Sequence, residues 1–262
     1  MTPTCVVVIP SRYASSRFPG KPLALIAGRP MIQRVYERAA SADFVDRVLV
    51  ATDDERIADT VRQFGGEAVM TSPDHPTGSD RIAEVIAGLE CDIVVNVQGD
   101  EPCIAPEAID AMVQPLRQEP AVEMSTLAQP IEDVAELLTP NVTKVVVDLE
   151  DNALYFSRAP IPYARSDWPQ APQVLAQGGE PPLIPPGCMR HYGLYAYRRE
   201  LLLILAQLPP TRLEQVEQLE QLRALEHGYR IRVVRTTYES IGVDVPADID
   251  RVERWLSAQG LE

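Results

Sequence analysis

Short continuous apolar runs alternate with segments of spaced apolar positions over the first hundred residues of the chain. The runs are rich in Val and Ile, as expected for strands buried on both faces, and the segments between them have the apolar spacing of amphipathic helices. The predicted strands are 6–9, 48–51, 68–70 and 93–97. This alternation predicts an α/β fold, in which a parallel sheet is covered by helices on both faces.

Local signals set the ends of the predicted helices. Pro30 is placed to open a helix that runs to Ala40, because proline is tolerated in the first turn. Asp53 or Asp54 is a candidate N-cap for the second helix, which the glycines at 65 and 66 end. We predict that Ser79 caps the third helix, which reaches about residue 89.

The second half of the chain follows a different pattern. Residues 159–187 hold eight of the 24 prolines, which excludes a regular helix or a central strand there. The other predicted elements are a β-hairpin over 144–149 and 153–157, a strand over 190–197, a helix over 213–226, a strand over 230–235, and a last helix from Pro246. We therefore divide the chain into a core (1–130), a smaller β-rich lobe (131–212) and a return to the core (213–262).

Composition and charge exclude several classes of protein. The 262 residues have a net charge of −14 and a pI of about 4.7, which argues against wholesale binding to nucleic acid or to an anionic membrane. No apolar stretch approaches the roughly 18 residues of a membrane span, and no leader pattern is evident, so we expect a cytoplasmic protein. The four cysteines lack metal-ligand spacing and are expected to be buried free thiols.

A basic loop follows the first predicted strand. Of the 24 Lys and Arg residues only Lys21 and Lys144 are lysines, and Lys21 shares this loop with Arg12 and Arg17. Ligands bind at the carboxyl ends of parallel strands, so the three cations predict a site for a polyanion such as a triphosphate. The loop has neither a GxxxxGK[ST] nor a GxGxxG motif. The alternative is a solvated surface loop.

Two carboxylates are candidate ligands for a divalent cation. Asp100 follows the predicted strand over 93–97, at the same sheet edge as the basic loop, and Asp244 lies just before Pro246. Carboxylates in such places suit Mg²⁺. The alternatives are that Asp100 caps the next helix, for which Pro106 is a better opener, and that Asp244 caps the last helix.

Arginines and a histidine flank the proline-rich segment. Arg158, Arg165, Arg190 and His191 together offer forked donors and an imidazole, which suit the carboxylate and hydroxyls of a sugar acid. Glu220 and Gln221 interrupt a leucine-rich helix. From the pattern alone they are read as a solvated face of that helix.

Several motifs together resemble those of the 3-deoxy-manno-octulosonate (Kdo) cytidylyltransferases, the CMP-Kdo synthetases. The resemblance extends over the whole chain, and the loop RYxSxRxPGK and the string QGDEP are its most specific parts. The matching segments are 8–23, 50–53, 74–75, 78–81, 94–102, 153–158, 190–195, 219–223 and 242–244. Sialic acid cytidylyltransferases share the plan of the first loop without the whole set.

The resemblance implies a Rossmann-like, mostly parallel sheet of the nucleotidyltransferase type, with a lobe for sugar binding and dimerisation. It implies three groups of site residues. Those for the nucleotide are Pro10, Arg12, Arg17, Lys21, Ser79, Arg81, Gln98 and Asp100, those for the sugar acid are Arg165, His191, Tyr195, Glu220 and Gln221, and those for Mg²⁺ are Asp100 and Asp244. Arg12, Lys21, Asp100 and Asp244 are the implied catalytic set. A homodimer is expected, and the strand over 192–197 is a candidate for pairing across its twofold axis.

The implied reaction is the transfer of CMP from CTP to Kdo for lipopolysaccharide synthesis, with release of pyrophosphate. One alternative is a cytidylyltransferase for another acid sugar, such as sialic acid or an amino-Kdo. A second is a sensor that binds a nucleotide sugar without turnover. A third is a metal-dependent glycosyltransferase, which usually has Asp-x-Asp where this chain has Gln98 and Asp100.

Overall fold

The computed structural model of the chain describes residues 2–14, 18–165, 184–238 and 241–261. Strands, α-helices and two short 3₁₀ helices form along these residues. The strands are β1 (Cys5–Ser11), β2 (Leu25–Ile26), β3 (Arg29–Pro30), β4 (Arg47–Thr52), β5 (Glu67–Met70), β6 (Ile93–Asn96), β7 (Met124–Pro130), β8 (Lys144–Val147), β9 (Ala153–Ser157), β10 (Met189–Arg198) and β11 (Arg232–Arg235). The helices are α1 (Met31–Ala40), α2 (Glu55–Gln63), α3 (Gly78–Ala87), α4 (Pro106–Gln118), α5 (Val134–Leu138), α6 (Arg199–Gln207), α7 (Arg212–Glu217), α8 (Gln221–Glu226) and α9 (Ile249–Gln259), with the 3₁₀ helices at Lys21–Leu23 and Pro246–Asp248.

The chain divides into two compact units. The first unit contains Met1–Ser125, Leu194–Gln207 and Tyr238–Glu262, and the second contains Thr126–Gly193 and Leu208–Thr237. None of the helices in the described residues is long and apolar enough to cross a bilayer.

β1 is the central strand of the first unit. It pairs in parallel with β4 on one side and β6 on the other, and β5 continues the parallel sheet beyond β4. Residues 195–198 of β10 pair with β6 in the antiparallel direction. Because parallel strands end at the same edge, the segments that follow Ser11, Thr52 and Asn96 meet there. The predicted fold class, a mostly parallel sheet flanked by helices, is confirmed.

A cluster of buried apolar side chains packs the C-terminal part of the first unit against α1. Met31 of α1, Val252 and Leu256 of α9, and Val243 form one apolar cluster. Val243 is almost fully buried. Burying an apolar side chain of this size stabilises the fold by roughly 1.5–3 kcal/mol. The cluster therefore holds the loop that carries Asp244.

The second unit contains the predicted hairpin. β8 and β9 are antiparallel, with Val145 opposite Phe156, and both of these side chains are fully buried. Met189 and Arg190 of β10 pair with β8. The part of the proline-rich segment over 166–183 lies outside the described residues.

Two predicted helix boundaries are wrong. Thr77, not Ser79, caps α3, because the Thr77 hydroxyl accepts the N–H of Asp80 at 3.2 Å. The single helix predicted over 213–226 is two helices, α7 and α8, since Gln218 adopts a left-handed conformation with φ 55°. The first error arises because Thr77 and Ser79 both suit an N-cap. The second arises because the residues around Gln218 are good helix formers, so the local pattern does not show the break.

The 192–197 strand, the candidate for pairing across a twofold axis, lies within β10. β10 lies between β7 and β6 in the sheet. Residues 195–198 of β10 pair with β6 and residues 189–190 pair with β8, and pairing of this strand with a second copy stays a prediction.

Candidate active site

The basic loop after β1 ends in a constrained turn. Gly20 has φ +71°, and a Cβ atom there would lie 3.0 Å from the ring of Tyr13. The N–H of Gly20 donates to the carbonyl of Tyr13 at 3.0 Å. Only glycine adopts this conformation without strain. The turn places Lys21 at the start of the first 3₁₀ helix.

The Lys21 ammonium joins three segments that are distant in sequence. Its Nζ atom donates to Asp100 Oδ2 at 2.7 Å and to the carbonyl of Val243 at 2.8 Å. The Lys21 side chain is only 15% exposed, while that of Asp100 is 37% exposed. The ammonium is therefore largely enclosed, and the carboxylate keeps a face open to a ligand.

Asp244 is brought to the same place by the backbone. The N–H of Val243 donates to the carbonyl of Asp100 at 3.0 Å, so the next residue, Asp244, lies beside the segment that carries Asp100. Asp244 is exposed. It does not cap the last helix, because Asp248 accepts the N–H groups of Asp244 and Val245.

Asp248 is a charged residue of this site that the sequence analysis missed. Hydrogen bonds from the N–H groups of Val245 and Asp244 lower the pKa of its carboxyl, and the positive charge of Lys21 adds to this effect. The signal that could have found it was its place three residues after Val245, which suits a residue closing a helix start.

The carboxylates of Asp100 and Asp244 fit a hard divalent cation. Mg²⁺ is usually held by one or two carboxylates, with waters and substrate phosphates completing the shell. Among the described residues, no group of three or more His, Cys, Asp or Glu side chains is arranged to hold a metal. The donor set therefore fits an ion that arrives with a phosphate ligand, not a closed site made of protein alone.

The start of α3 lies against the end of β1. A Cβ atom at Gly78 would lie 3.2 Å from the ring of Pro10, so a larger residue at 78 would require a small shift of the helix start or of Pro10. Ser79 lies in the first turn and is partly buried. Pro10 and Ser79, two predicted nucleotide-binding residues, are thus neighbours at one sheet edge.

Arg81 and Gln98 have partners within the first unit. The buried Arg81 guanidinium donates to Thr71 Oγ1 and lies 3.4 Å from Asp53 Oδ2. Gln98 Nε2 donates to Asn96 Oδ1 at 3.2 Å. Both side chains are therefore held in place before any nucleotide binds.

The remaining predicted cations of the loop differ in position. Arg12 is exposed at the end of β1, and Arg17 lies outside the described residues. A further cation, Arg56, was missed: its guanidinium stacks 3.4 Å from the ring centre of Tyr13 and pairs with Asp54. Only the packing of α2 near the loop reveals it.

His191 lies in the second unit in an apolar setting. Its Nε2 atom is 2.8 Å from Thr126 Oγ1, and its ring packs edge-on against Phe156 with centroids 4.8 Å apart. Burial lowers the pKa of His191 to about 3. The imidazole is therefore neutral at physiological pH, which suits hydrogen bonding to hydroxyls.

The low pKa of His191 predicts a pH-dependent stability. Between pH 6.5 and pH 3 the unfolded chain binds a proton that the folded chain does not, so the free energy of unfolding falls as pH falls, by up to about 1.4 kcal/mol per pH unit. Urea unfolding between pH 7.5 and 5.5 measures this slope. His191→Gln should reduce the slope, and the exposed His227→Gln should leave it unchanged. An equal slope in wild type and His191→Gln would contradict the assignment.

Gln221 and Glu220 lie at the start of α8. Gln221 is buried, and its Nε2 atom has no hydrogen-bond partner among the described residues. Leaving a buried donor unpaired costs about 1–3 kcal/mol, so this amide suits a ligand acceptor. Glu220 is exposed at the N-terminal end of the helix. Gln221 is therefore not part of a solvated helix face, and the role of Glu220 stays a prediction.

The other residues predicted for the sugar acid lie in different places. Arg165 is exposed in the second unit. Tyr195 belongs to the first unit, where it pairs with Asn96 across β10 and β6. The guanidinium of Arg158 is bonded to backbone carbonyls, so its fork is not presented to a substrate carboxylate.

Three kinds of comparison describe what the chain is similar to. The family model described as Cytidylyltransferase matches residues 6–232. The chain is 55% identical over 245 residues to the 3-deoxy-manno-octulosonate cytidylyltransferase of Geobacter sulfurreducens, covering 94% of this chain and 96% of the relative. It is 54% identical over 250 residues to that of Geobacter metallireducens, with 95% and 96% covered.

The solved structures agree with these relatives. A structure of CMP:2-keto-3-deoxy-manno-octonic acid synthetase complexed with CTP superposes with a TM-score of 0.87 at 44% identity, covering 98% of this chain and 99% of that one. A 4-diphosphocytidyl-2C-methyl-D-erythritol synthase from Anaerococcus prevotii has a TM-score of 0.61 at 14% identity, with 98% and 97% covered. The second likeness concerns the fold alone.

Proposed function

Because the chain belongs to the 3-deoxy-manno-octulosonate cytidylyltransferase family, we propose that it transfers CMP from CTP to the anomeric hydroxyl of Kdo. The products are CMP-Kdo and pyrophosphate. The observation that carries this proposal is the contact between Lys21 and Asp100 at the shared end of β1 and β6. At one point of the sheet edge this contact brings together an ammonium that can bind a triphosphate and a carboxylate that can bind the Mg²⁺ accompanying it.

The first task of the site is to bind a highly charged nucleotide. Lys21 and the exposed Arg12 carry positive charge at the end of β1. These two side chains offset the negative charge of the triphosphate and stabilise the charge that grows on the phosphoryl oxygens during transfer. Pro10, Ser79, Arg81 and Gln98 are proposed to contact the rest of the nucleotide.

The chemical step is an in-line displacement at the α-phosphorus. The anomeric oxygen of the sugar acid forms the new P–O bond, and the bond to the β-phosphate oxygen breaks, so that pyrophosphate leaves. The hydroxyl proton is lost to solvent. Asp100 and Asp244 would hold Mg²⁺, which supplies phosphate charge neutralisation and a lower pKa of the attacking hydroxyl when bound. Lys21 keeps the Asp100 carboxylate oriented through the 2.7 Å contact.

The sugar acid is proposed to bind through neutral hydrogen-bonding groups together with one acidic and one basic side chain. The neutral imidazole of the half-buried His191 and the amide of the buried Gln221 are hydrogen-bonding groups of the second unit. Glu220 and Tyr195 add an acceptor and a hydroxyl, and Arg165 adds a cation for the sugar carboxylate. Buried polar groups of this kind give selectivity, because a substrate without the matching hydroxyl leaves them unpaired.

Release of pyrophosphate from CTP with a panel of sugar acids tests the proposed function. Kdo, an amino-Kdo and sialic acid are compared at equal concentration, with and without Mg²⁺. The highest kcat/KM is expected with Kdo, and only with Mg²⁺ present. Preference for another acid would transfer the assignment to that sugar, and binding without pyrophosphate release would support a nucleotide-sugar sensor.

The proposed assembly is a homodimer formed through the second unit. Leu149, Leu154 and Val216 of this unit are exposed apolar side chains, which a subunit interface would cover. Pairing of two copies through the 192–197 strand stays a prediction. Location in the cytoplasm stays a prediction.

A further inference from the structure

Lys144, the second lysine of the chain, is fully buried and has no part in the proposed reaction. Its Nζ atom donates to the carbonyls of Thr139 at 3.0 Å, Val142 at 2.5 Å and Arg158 at 2.6 Å. An ammonium has three donors, and all three are used. The backbone of Arg158, just after β9, is therefore fixed by a buried charge.

The Arg158 side chain in turn donates hydrogen bonds to the C-terminal end of α7. Its Nε atom donates to the carbonyl of Glu217 at 2.8 Å, and an Nη atom donates to the carbonyl of Gln218 at 3.3 Å. A helix end leaves such carbonyls without partners. A planar guanidinium matches two adjacent carbonyls better than a flexible ammonium does.

The Glu217 carboxylate accepts hydrogen bonds from residues in and just after β9. It accepts the Ser157 hydroxyl at 2.6 Å and the Arg158 N–H at 2.9 Å, with the Tyr155 hydroxyl at 3.4 Å. Burial raises the pKa of Glu217, but the hydrogen bonds outweigh it, so the pKa is lowered overall. The residue is thus fixed through both its backbone and its side chain. We refer to Lys144, Arg158 and Glu217 as the clamp.

The clamp acts at the turn between α7 and α8. Gln218 is left-handed there, with φ 55° and ψ 50°, a conformation that non-glycine residues adopt at a cost in energy. Glu220 and Gln221 follow within three residues. The buried Gln221 amide has no partner among the residues that the structure describes. Gln221 therefore follows directly on a turn whose backbone carbonyls the clamp holds.

We propose that Arg158 is a positioning residue for the sugar acid, because it holds the strained turn from which Glu220 and Gln221 reach the substrate. This inference rests on the proposed function. It differs from a role for Arg158 in binding the sugar carboxylate, since the guanidinium is bonded to backbone carbonyls. The consequence is that loss of Arg158 weakens sugar binding and leaves nucleotide binding as it was.

Steady-state kinetics of Arg158→Met test the positioning role. We expect the KM for Kdo to rise about tenfold while the KM for CTP changes by less than about twofold. Arg235→Met is the matched control, since Arg235 lies in the same unit and pairs with Asp151, away from the turn. This control should match the wild type in both KM values.

Hydrogen exchange supplies a readout that does not depend on activity. Amides of residues 214–223 should exchange faster in Arg158→Met, and those of the first unit should not change. If Arg158→Met fails to fold, Glu217→Gln takes its place: the amide oxygen still accepts the Ser157 hydroxyl but lacks the charge. A smaller rise in the KM for Kdo and a smaller increase in exchange over 214–223 are expected for this variant.

The outcomes separate the inference from the proposed function. An unchanged KM for Kdo, or an equal rise in both KM values with a lower melting temperature, would overturn the positioning role. Unchanged exchange over 214–223 would do the same. A wild-type protein that releases no pyrophosphate with Kdo would refute the proposed function itself, while the exchange experiment would still report on the clamp.

Discussion

Asp100→Asn is expected to abolish Mg²⁺-dependent pyrophosphate release and to leave the fold intact. Asparagine has nearly the same shape, and its oxygen can still accept the hydrogen bond that Lys21 gives to Asp100 Oδ2. It carries no negative charge, so it is a poor ligand for a hard cation. The Lys21 ammonium also loses its counterion. A loss of about 10³-fold or more in kcat/KM, measured over a Mg²⁺ titration, is the expected size.

Asp133→Asn provides the matched control for this change. Asp133 is the N-cap of α5, and asparagine serves equally well at that position. Its kcat/KM should equal that of the wild type. Normal turnover by Asp100→Asn, with circular dichroism like that of the wild type, would refute the metal role of Asp100.

Lys21→Ala is expected to lower kcat/KM by about 30-fold to 1000-fold, equivalent to roughly 2–4 kcal/mol of transition-state stabilisation. The ammonium is largely enclosed and bonded to two acceptors. Its removal takes away the fixed charge at the end of β1 and frees the Asp100 carboxylate to turn. Initial rates of pyrophosphate release at varied CTP concentration measure the effect.

Arg29→Ala is the control for loss of a nearby cation. Arg29 is exposed and pairs with Glu37, and exposed pairs contribute little to stability. Its kcat/KM should not change. If Lys21→Ala lowers only the melting temperature and keeps the wild-type kcat/KM, then Lys21 is structural and its role in phosphate binding is wrong.

The strands of the first unit could be predicted because their residues are both apolar in sequence and buried in the structure. β1, β4 and β6 are apolar and rich in Val and Ile, since each is covered on both faces. A strand that is covered on both faces needs apolar residues at nearly every position, so a short continuous apolar run predicts it well. β7 lacks this clear pattern: it contains Ser125, Thr126 and Gln129, and no prediction covered it.

The 213–226 segment shows where a local pattern fails. Its leucines have helical spacing, and the sequence between them is rich in good helix formers, which favours one continuous helix. The break at Gln218 depends on the Arg158 side chain and on Glu217, which are 59 residues apart in sequence. A contact of that separation leaves no trace in local spacing.

The amino-acid sequence by itself determined the parallel sheet, the basic loop after β1, and the placement of Asp100 at the same edge. These follow from burial and from strand geometry, which are properties of short segments. Only the tertiary structure decided that Lys21 reaches both Asp100 and the Val243 carbonyl, that Asp248 and not Asp244 closes the last helix start, and that the Arg158 guanidinium donates to the carbonyls of Glu217 and Gln218. The physical reason is that long charged side chains can satisfy many partners, and the choice among them depends on which distant backbone groups folding leaves unpaired.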